Sequence, residues 1–380
     1  MSGSVMEEWT DLAALRQVSD ALADAAIAEA TAAGAQGNLL LDRAVRHGVE
    51  ADTPPAARAL IEDAQRLDWA DRERLKRGSD AYLAIGTTWL GLALGPGSLT
   101  HTYSSPSIAR VLVDTANLTR MARRRLLETG SWNIATALPD GLLPGHDGYV
   151  HNLQVRLLHA RVRHGLLKKG WNTEELGLPI NQFDMIRTWL DFTYVPFGAF
   201  GNLGVDFTEA ELADLYHLWQ VAAHILGIDD AIVRAITDQR SAKRLLDAIH
   251  AEEGQPNADS RRLTAAMLDA LSDLLAPGLG VSPAVARKLA AATLRRLHGG
   301  ELAEQLGVGW NWTSLVLPFI AAANRFRRWR ERRNPALRAA TIAAAIHTHH
   351  NREEVYSGPT TYERAASQDA SLGLPETQDA

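Results

Sequence analysis

The chain has 380 residues, 46% of them hydrophobic, which is enough apolar side chain for one large core although the length alone suits two or three domains. With 45 acidic against 39 basic side chains the net charge is -6, too small a bias to predict a polyanion as principal partner, so nucleic acid is not expected. The absence of cysteine removes disulfides, thiolate metal sites, iron–sulfur clusters, cysteine nucleophiles and thioether-linked prosthetic groups.

Along the chain, the opening MSGSVMEEWTDL has no basic cluster followed by an apolar stretch and no twin arginine, which predicts a cytoplasmic protein. A break is expected at 34–37. Residues 82–94 form the longest apolar stretch, short of the roughly 20 residues of a membrane span. They read as one buried helix, and no membrane-spanning segment is expected. After a break at 94–98, Ser105-Pro106 sets a cap residue before a first-turn proline. The segment around Arg120 to Gly130 reads as a helix with Arg125, Glu128 and Thr129 at i, i+3 and i+4 on one face. A break at 138–148 precedes a long helix from about Tyr149, closed by Lys168, Lys169 and Gly170. Asn181, three residues before Asp184, caps the next helix; Thr208 and Glu211 form a capping box; Ser282-Pro283 opens another helix, with breaks at 254–257 and 277–283. Apolar residues recur at spacings of three and four without sustained strand-like alternation, so the fold class is all-α. None of the breaks is a long polar tether, which predicts a single multi-helix domain over residues 1–356. From about Ser357 the composition turns polar, and a mobile tail is expected over 357–380.

The segment from His151 to His164 carries the most information. At about 100° per helical residue, Val155, His159, Val162 and Leu166 share one side, so His159 stands in an apolar stripe. Arg156 and Arg163 point nearly the same way, about 60° and 40° around from it. One reading is a hydrogen-bonded core histidine with two arginines in ordinary ion pairs to Asp or Glu elsewhere. The other is a heme, whose iron takes the imidazole and whose propionates meet the buried guanidinium groups. His164 lies about 140° around from His159, so the two cannot chelate one ion, and a structural hydrogen bond is expected of it. Arg125, Glu128 and Thr129 read alone as a solvated charged face. If that face looks into a pocket, Thr129 is a donor toward dioxygen and Glu128 a proton carrier.

The ordered set Arg156-x-x-His159-x-x-x-Arg163-His164, preceded by Arg125-x-x-Glu128-Thr129 and followed by Pro179-Ile-Asn-Gln182-x-Asp184 and His217-Leu-Trp219-x-x-x-x-His224-x-Leu-Gly227, resembles the DUF2236 family over roughly residues 95–228. That family contains the latex clearing proteins, or rubber oxygenases, and the fungal oxygenase that shortens a farnesyl chain in mycophenolic acid biosynthesis. The resemblance implies a heme b protein with a globin-like helical core, which uses dioxygen to cleave a carbon–carbon double bond of an isoprenoid into carbonyl products. By position it implies His159 as the proximal iron ligand, with Arg156, Arg163 and His164 around it and Arg125 with Thr129 on the oxygen-binding side. The rubber-cleaving members carry a lysine where this chain has Glu128, so either Glu128 takes over proton handling or the reaction differs. They also use an upstream glutamate, whereas Asp114 is the only acid between Ser98 and Leu127 here. A small apolar substrate is the expected partner, enclosed by the helices around 82–94 and 188–200. The alternative is a non-catalytic heme or lipid binder.

Other clusters carry less. Seven arginines with Trp329 among them between Arg325 and Arg338 read as a solvated helix face in preference to an acidic-lipid surface. His347, His349 and His350 are expected to be exposed and without a native metal. Of His217 and His224, seven apart, either one lines the pocket or both are buried against backbone carbonyls. Asp214-x-x-His217 stands alone, where a di-iron bundle needs two Glu-x-x-His pairs. No His-Glu-x-x-His, Gly-x-Ser-x-Gly or Walker loop occurs, so zinc proteases, serine hydrolases and nucleotide-phosphate enzymes are not expected.

Overall fold

A computed structural model describes residues 11–115 and 118–350. The tail expected at 357–380 and the first ten residues of the opening segment lie outside the described residues. Among the described residues all regular structure is helical, as the spacing of apolar residues predicts.

Three N-terminal helices, α1 (Ala21–Ala32), α2 (Gly34–His47) and α3 (Pro55–Ala64), pack on one another. Asp20 caps α1 by accepting from the Ala23 amide at 3.2 Å. Gly34, with φ of 63°, supplies the left-handed residue at the expected break, and the chain re-enters a helix at once. Next come α4 (Arg72–Leu83) and α5 (Thr87–Ala93), where a single buried helix over 82–94 was expected. Gly86, with φ of 86°, separates them. The stretch is apolar because both pieces are buried, and its composition conceals the break. Residues 94–98 are also continuous: Leu94–Leu99 forms a π-helical turn that accommodates Pro96. The imidazole of His298 donates to the carbonyls of Pro96 (3.1 Å) and Gly97 (3.0 Å).

Short α6 (Thr100–Ser104) and α7 (Pro106–Thr115) lead into the hairpin of α8 (Leu118–Ala137) and α9 (Asp147–Lys168). The turn across 138–148 falls where expected, and Gly170 ends the second helix with φ of 84°. The chain continues through α10 (Thr173–Leu176), α11 (Gln182–Phe192), α12 (Tyr194–Asn202), α13 (Glu209–Ile225), α14 (Asp230–Arg234) and α15 (Gln239–Glu252). The Asn181 carboxamide accepts from the Asp184 amide at 2.9 Å, and Thr208 and Glu211 make both halves of their capping box. The last elements are α16 (Ala258–Leu279), α17 (Pro283–Gln305), α18 (Leu317–Arg333) and α19 (Pro335–His350). α16 runs through Pro277, so the break expected from 277 begins only at Gly280.

One contiguous apolar core runs from Leu12 to Ala345, with Trp219 at an aromatic centre formed with Tyr82, Trp132 and Phe192. The segments around 82–94 and 188–200, expected to enclose a substrate, contribute mainly to this core: Tyr82, Leu83, Leu92, Leu190 and Phe200 are fully buried. α9 packs against α8, α1 and α13. No helix of the described residues is long and apolar enough to cross a membrane.

Candidate active site

The α8–α9 hairpin fixes what the site residues face. Its anchor is Trp132, whose indole nitrogen donates to Asn152 at 3.1 Å; Asn152 in turn donates to Thr136 at 2.9 Å. The helices are antiparallel, so seven residues back on one and seven forward on the other return to the same height and nearly the same side, about 10 Å from the anchor. This brings Arg125 level with His159 and Thr129 level with Val155 along the hairpin. The same side chains are half-buried, together with Leu126, Leu158 and Val162, although the opposite flank of α9 is sealed by Leu153, Leu157 and Ala160. The hairpin is therefore closed at Trp132–Asn152 and presents a half-open apolar cleft at the level of His159.

Within this cleft His159 makes no hydrogen bond to a described residue, and its buried Nδ1 has no partner. Burial pushes its pKa down to about 4, the nearby Arg163 charge adds to the effect, and Asp20 opposes it. The imidazole is therefore neutral at physiological pH, with a lone pair available. Arg125 makes no ion pair with a described residue and lies near Tyr103, whose phenol is raised by burial and drawn down by the Arg125 charge. Glu128 is buried and bound by Arg124 at 2.8 Å.

The arginines flanking His159 have their counter-ions in the protein. Arg156 bonds Asp20 (2.6 Å) and Asp63 (3.3 Å), and Arg163 bonds Asp24 (2.9 Å) and the Ile180 carbonyl (2.6 Å). The ordinary ion-pair reading describes both, and neither is left over for a propionate. Gly227 has a φ of 76°, and a Cβ there would collide with the Asp20 carboxylate and the Arg156 guanidinium, which explains why the chain needs glycine against this pair. His164 is exposed and makes no hydrogen bond to a described residue, so the expected structural bond is not formed; its angular offset turns it to solvent. Asn181 and Gln182 are also structural. The Gln182 side chain donates to the Gly227 carbonyl (2.8 Å) and accepts from the Asp229 amide (2.9 Å).

His217 accepts from the Asp71 amide at 2.9 Å, and His224 bonds the Asp63 carbonyl and the Asp230 carboxylate, each at 2.9 Å. Both are buried supports, and His217 contacts an amide N–H where a carbonyl was expected. Asp214 is held by Arg74 and Arg77. His347 and His350 are exposed as expected, but His349 is buried. No group of three His, Asp or Glu residues able to hold a metal ion occurs among the described residues. A surface cavity lined by Arg72, Leu75, Leu138 and Leu218 shares no residue with the cleft.

The sequence reading missed a buried polar centre. The His101 Nδ1–H donates to Asp191 at 2.6 Å, Thr102 donates to the other carboxylate oxygen at 2.8 Å, and Arg187 binds Asp191, Glu253 (2.6 Å) and the His101 carbonyl (2.8 Å). The rings of His298 and His250 lie 5.3 and 5.1 Å from that of His101. Desolvation lowers all three imidazoles, so they are neutral. The Arg187/Asp191 spacing of four was the available signal, although it also describes any solvated helix pair. Nearby Asp184, accepting from Ser107 at 2.8 Å, is pushed up to about 7 by burial. Because this folded value exceeds the unfolded one of roughly 3.9, its stabilising contribution is complete below that pH and is lost as pH rises through about 7. Asp184→Asn, which resembles the protonated acid, is expected to gain Tm relative to the parent between pH 5 and 8. Thermal scans across that range check it; a difference independent of pH would contradict the shift.

The sequence matches the family model described as ER-bound oxygenase mpaB/B'/Rubber oxygenase, catalytic domain, over residues 84–330. It is 28% identical over 275 residues to a rubber oxygenase of Streptomyces sp. (strain K30), covering 70% of this chain and 63% of that protein. The match thus spans less than two thirds of the relative's length. The fold is similar to that of latex clearing protein LCP in the closed state, with a TM-score of 0.64 over 87% of this chain and 91% of that one, at 22% identity.

Proposed function

Since the chain belongs to the family of the mpaB/B' and rubber oxygenase catalytic domains, we propose that it is a heme b-dependent oxygenase acting on a carbon–carbon double bond of an apolar, isoprenoid-like substrate. What supports this reading is a neutral imidazole on α9, His159, whose Nδ1 has no partner among the described residues, with Arg125, a half-buried cation that makes no ion pair with a described residue, at the same level of the hairpin on α8. The residues present fit a heme on the histidine side. His159 has an unused nitrogen in an apolar stripe of Val155, Leu158 and Val162, which would cover one face of a macrocycle.

Bound heme would supply the iron at which dioxygen is activated. The chain's own residues do the rest. The ion pairs of Arg156 and Arg163 hold α9 against α1 and thereby fix the direction of His159. Arg125 and the Thr129 hydroxyl present hydrogen-bond donors from the facing helix, where they stabilise negative charge that develops during reaction. Glu128, held by Arg124, is the carboxyl that α8 supplies beside Arg125 and Thr129, and it would handle protons there. The apolar side chains Leu126, Leu158 and Val162 receive the substrate and limit water.

Titration of the purified protein with hemin should give a Soret band. Turnover of an isoprenoid panel under isotopically labelled dioxygen should place both oxygen atoms in the carbonyl products. Failure to develop the band removes the proposal, while a reduced protein that binds carbon monoxide and consumes no oxygen with any member of the panel is a heme binder.

A further inference from the structure

α18 is folded with its polarity inverted. Its inward face is Leu317, Ala321, Asn324, Arg328 and Glu331, all buried. The Asn324 carboxamide donates to the Leu203 carbonyl at 2.9 Å, and Arg328 pairs with Glu331 at 3.2 Å. The outward face carries the large apolar side chains. Phe319, Phe326 and Trp329 stand with Ala322 within about 80° of one another on the helix, and Phe319 is 76% exposed and Phe326 60%. Phe326 and Trp329 stack at 5.6 Å. The turn that leads into the helix extends the patch with Trp310, Trp312 and Leu315, the last 66% exposed. A helix in water places its charges outside and its aromatic residues inside. This one buries Arg328 and Glu331 and exposes Phe319, Phe326 and Trp329, so its outer face is built for a medium other than water.

The charges identify that medium. Between residues 310 and 338 the only acid is Glu331, and it is buried against Arg327 and Arg328. The exposed charges on the outer side are Arg330 and Arg333, although the chain as a whole is acidic; Arg325 and Arg332 stand at its edge, where Arg325 lies 3.7 Å from the Asp206 carboxylate and Arg332 donates to the Asp206 carbonyl at 2.9 Å. Arg333 lies over the Trp329 ring at 4.2 Å, and Arg330 makes no ion pair with a described residue. A symmetric contact between two copies of this face would set these arginines against one another. Tryptophan and phenylalanine flanked by arginine match the boundary layer of a bilayer, where the rings enter the acyl region and the guanidinium groups meet phosphate.

We propose that the outer face of α18, with the Trp310–Leu315 turn before it, docks this protein on an anionic lipid surface. Attachment is peripheral and independent of heme, so its test stands apart from that of the oxygenase reading.

The full chain is floated with vesicles of phosphatidylcholine alone or with about a third phosphatidylglycerol, at low and high salt. It is expected to rise with the anionic vesicles, more weakly with the neutral ones, and less as salt increases. Phe319→Asp with Phe326→Asp abolishes flotation on both. Arg330→Glu with Arg333→Glu weakens binding to the anionic vesicles by at least about thirtyfold and removes most of its salt dependence. All four positions are exposed, so circular dichroism of the variants should match the parent. The proposal is overturned by absence of flotation with anionic vesicles, or by flotation that the Phe319/Phe326 pair leaves unchanged. It is also overturned if sedimentation shows a dimer that this pair dissociates, because the face would then be covered by a second copy.

Discussion

Replacement of His159 by alanine removes the Soret band that hemin is expected to give the parent protein and weakens heme binding by at least about a hundredfold, since losses of 10–100-fold follow changes in residues that merely support a ligand. The apoprotein barely notices. Neither ring nitrogen is bonded to a described residue and the ring is half-buried, so its removal costs about 1 kcal/mol or less. Visible absorption of the hemin-loaded variant and thermal scans of the apo form check both halves. A hydrogen-bonded core histidine would give the opposite pattern, a clear drop in Tm with the spectrum unchanged. Acid adds a second signature. With the imidazole depressed to about 4 by burial, the ligand stays neutral from pH 8 down to about 5, and the apparent heme affinity is flat over that interval. Below about pH 4 protonation competes with the metal, and affinity falls tenfold per unit. In the apoprotein the folded value lies below the unfolded one, so this group's contribution to stability is complete above about pH 6.5 and is lost as pH falls through about 4.

Arg187→Met is expected to cost about 3–5 kcal/mol and to lower Tm by roughly 4–7 °C. Arg187 is completely buried, and its guanidinium is the cation that Asp191 and Glu253 share. Its removal strands two buried carboxylates and leaves the Ser104 hydroxyl oxygen without its donor and the His101 carbonyl with only the Ser104 hydroxyl. The deficit grows with pH. Burial already raises Asp191 to about 6 against the lowering effect of Arg187, and loss of that charge raises it further. The native state then holds a proton that the unfolded chain releases, so stability declines as pH rises from 5 to 8. Thermal unfolding of parent and variant at those two pH values measures the effect. A variant that lost less than about 1 kcal/mol at pH 8 would show that the centre carries no buried charge.

Whatever depends on neighbours within one or two helical turns could be read from the sequence. Asn181 and Thr208 cap their helices because each partner amide is three residues away. His159 stands in an apolar stripe because helical periodicity puts Val155 and Val162 beside it, and the turn at 138–148 is the only place where the hairpin can reverse. The break at Gly86 escaped because buried fragments and one buried helix have the same composition.

The ion pairs of Arg156 and Arg163 needed the folded chain. Their carboxylates lie 136, 93 and 139 residues away, and nothing local distinguishes Asp20, Asp63 and Asp24 from other acids. His101 meets Asp191 across 90 residues for the same reason. The arginine-rich segment read as a solvated face because charge normally turns outward. Only packing revealed that Arg328 and Glu331 turn inward while Phe319 and Phe326 face out. The helices, most of their ends and the histidine's apolar surroundings follow from local sequence, since backbone capping and side-chain periodicity are short-range. Which side of each helix is covered, and which acid neutralises which arginine, was decided by tertiary structure, because burial and charge pairing depend on elements that meet only when the chain has folded.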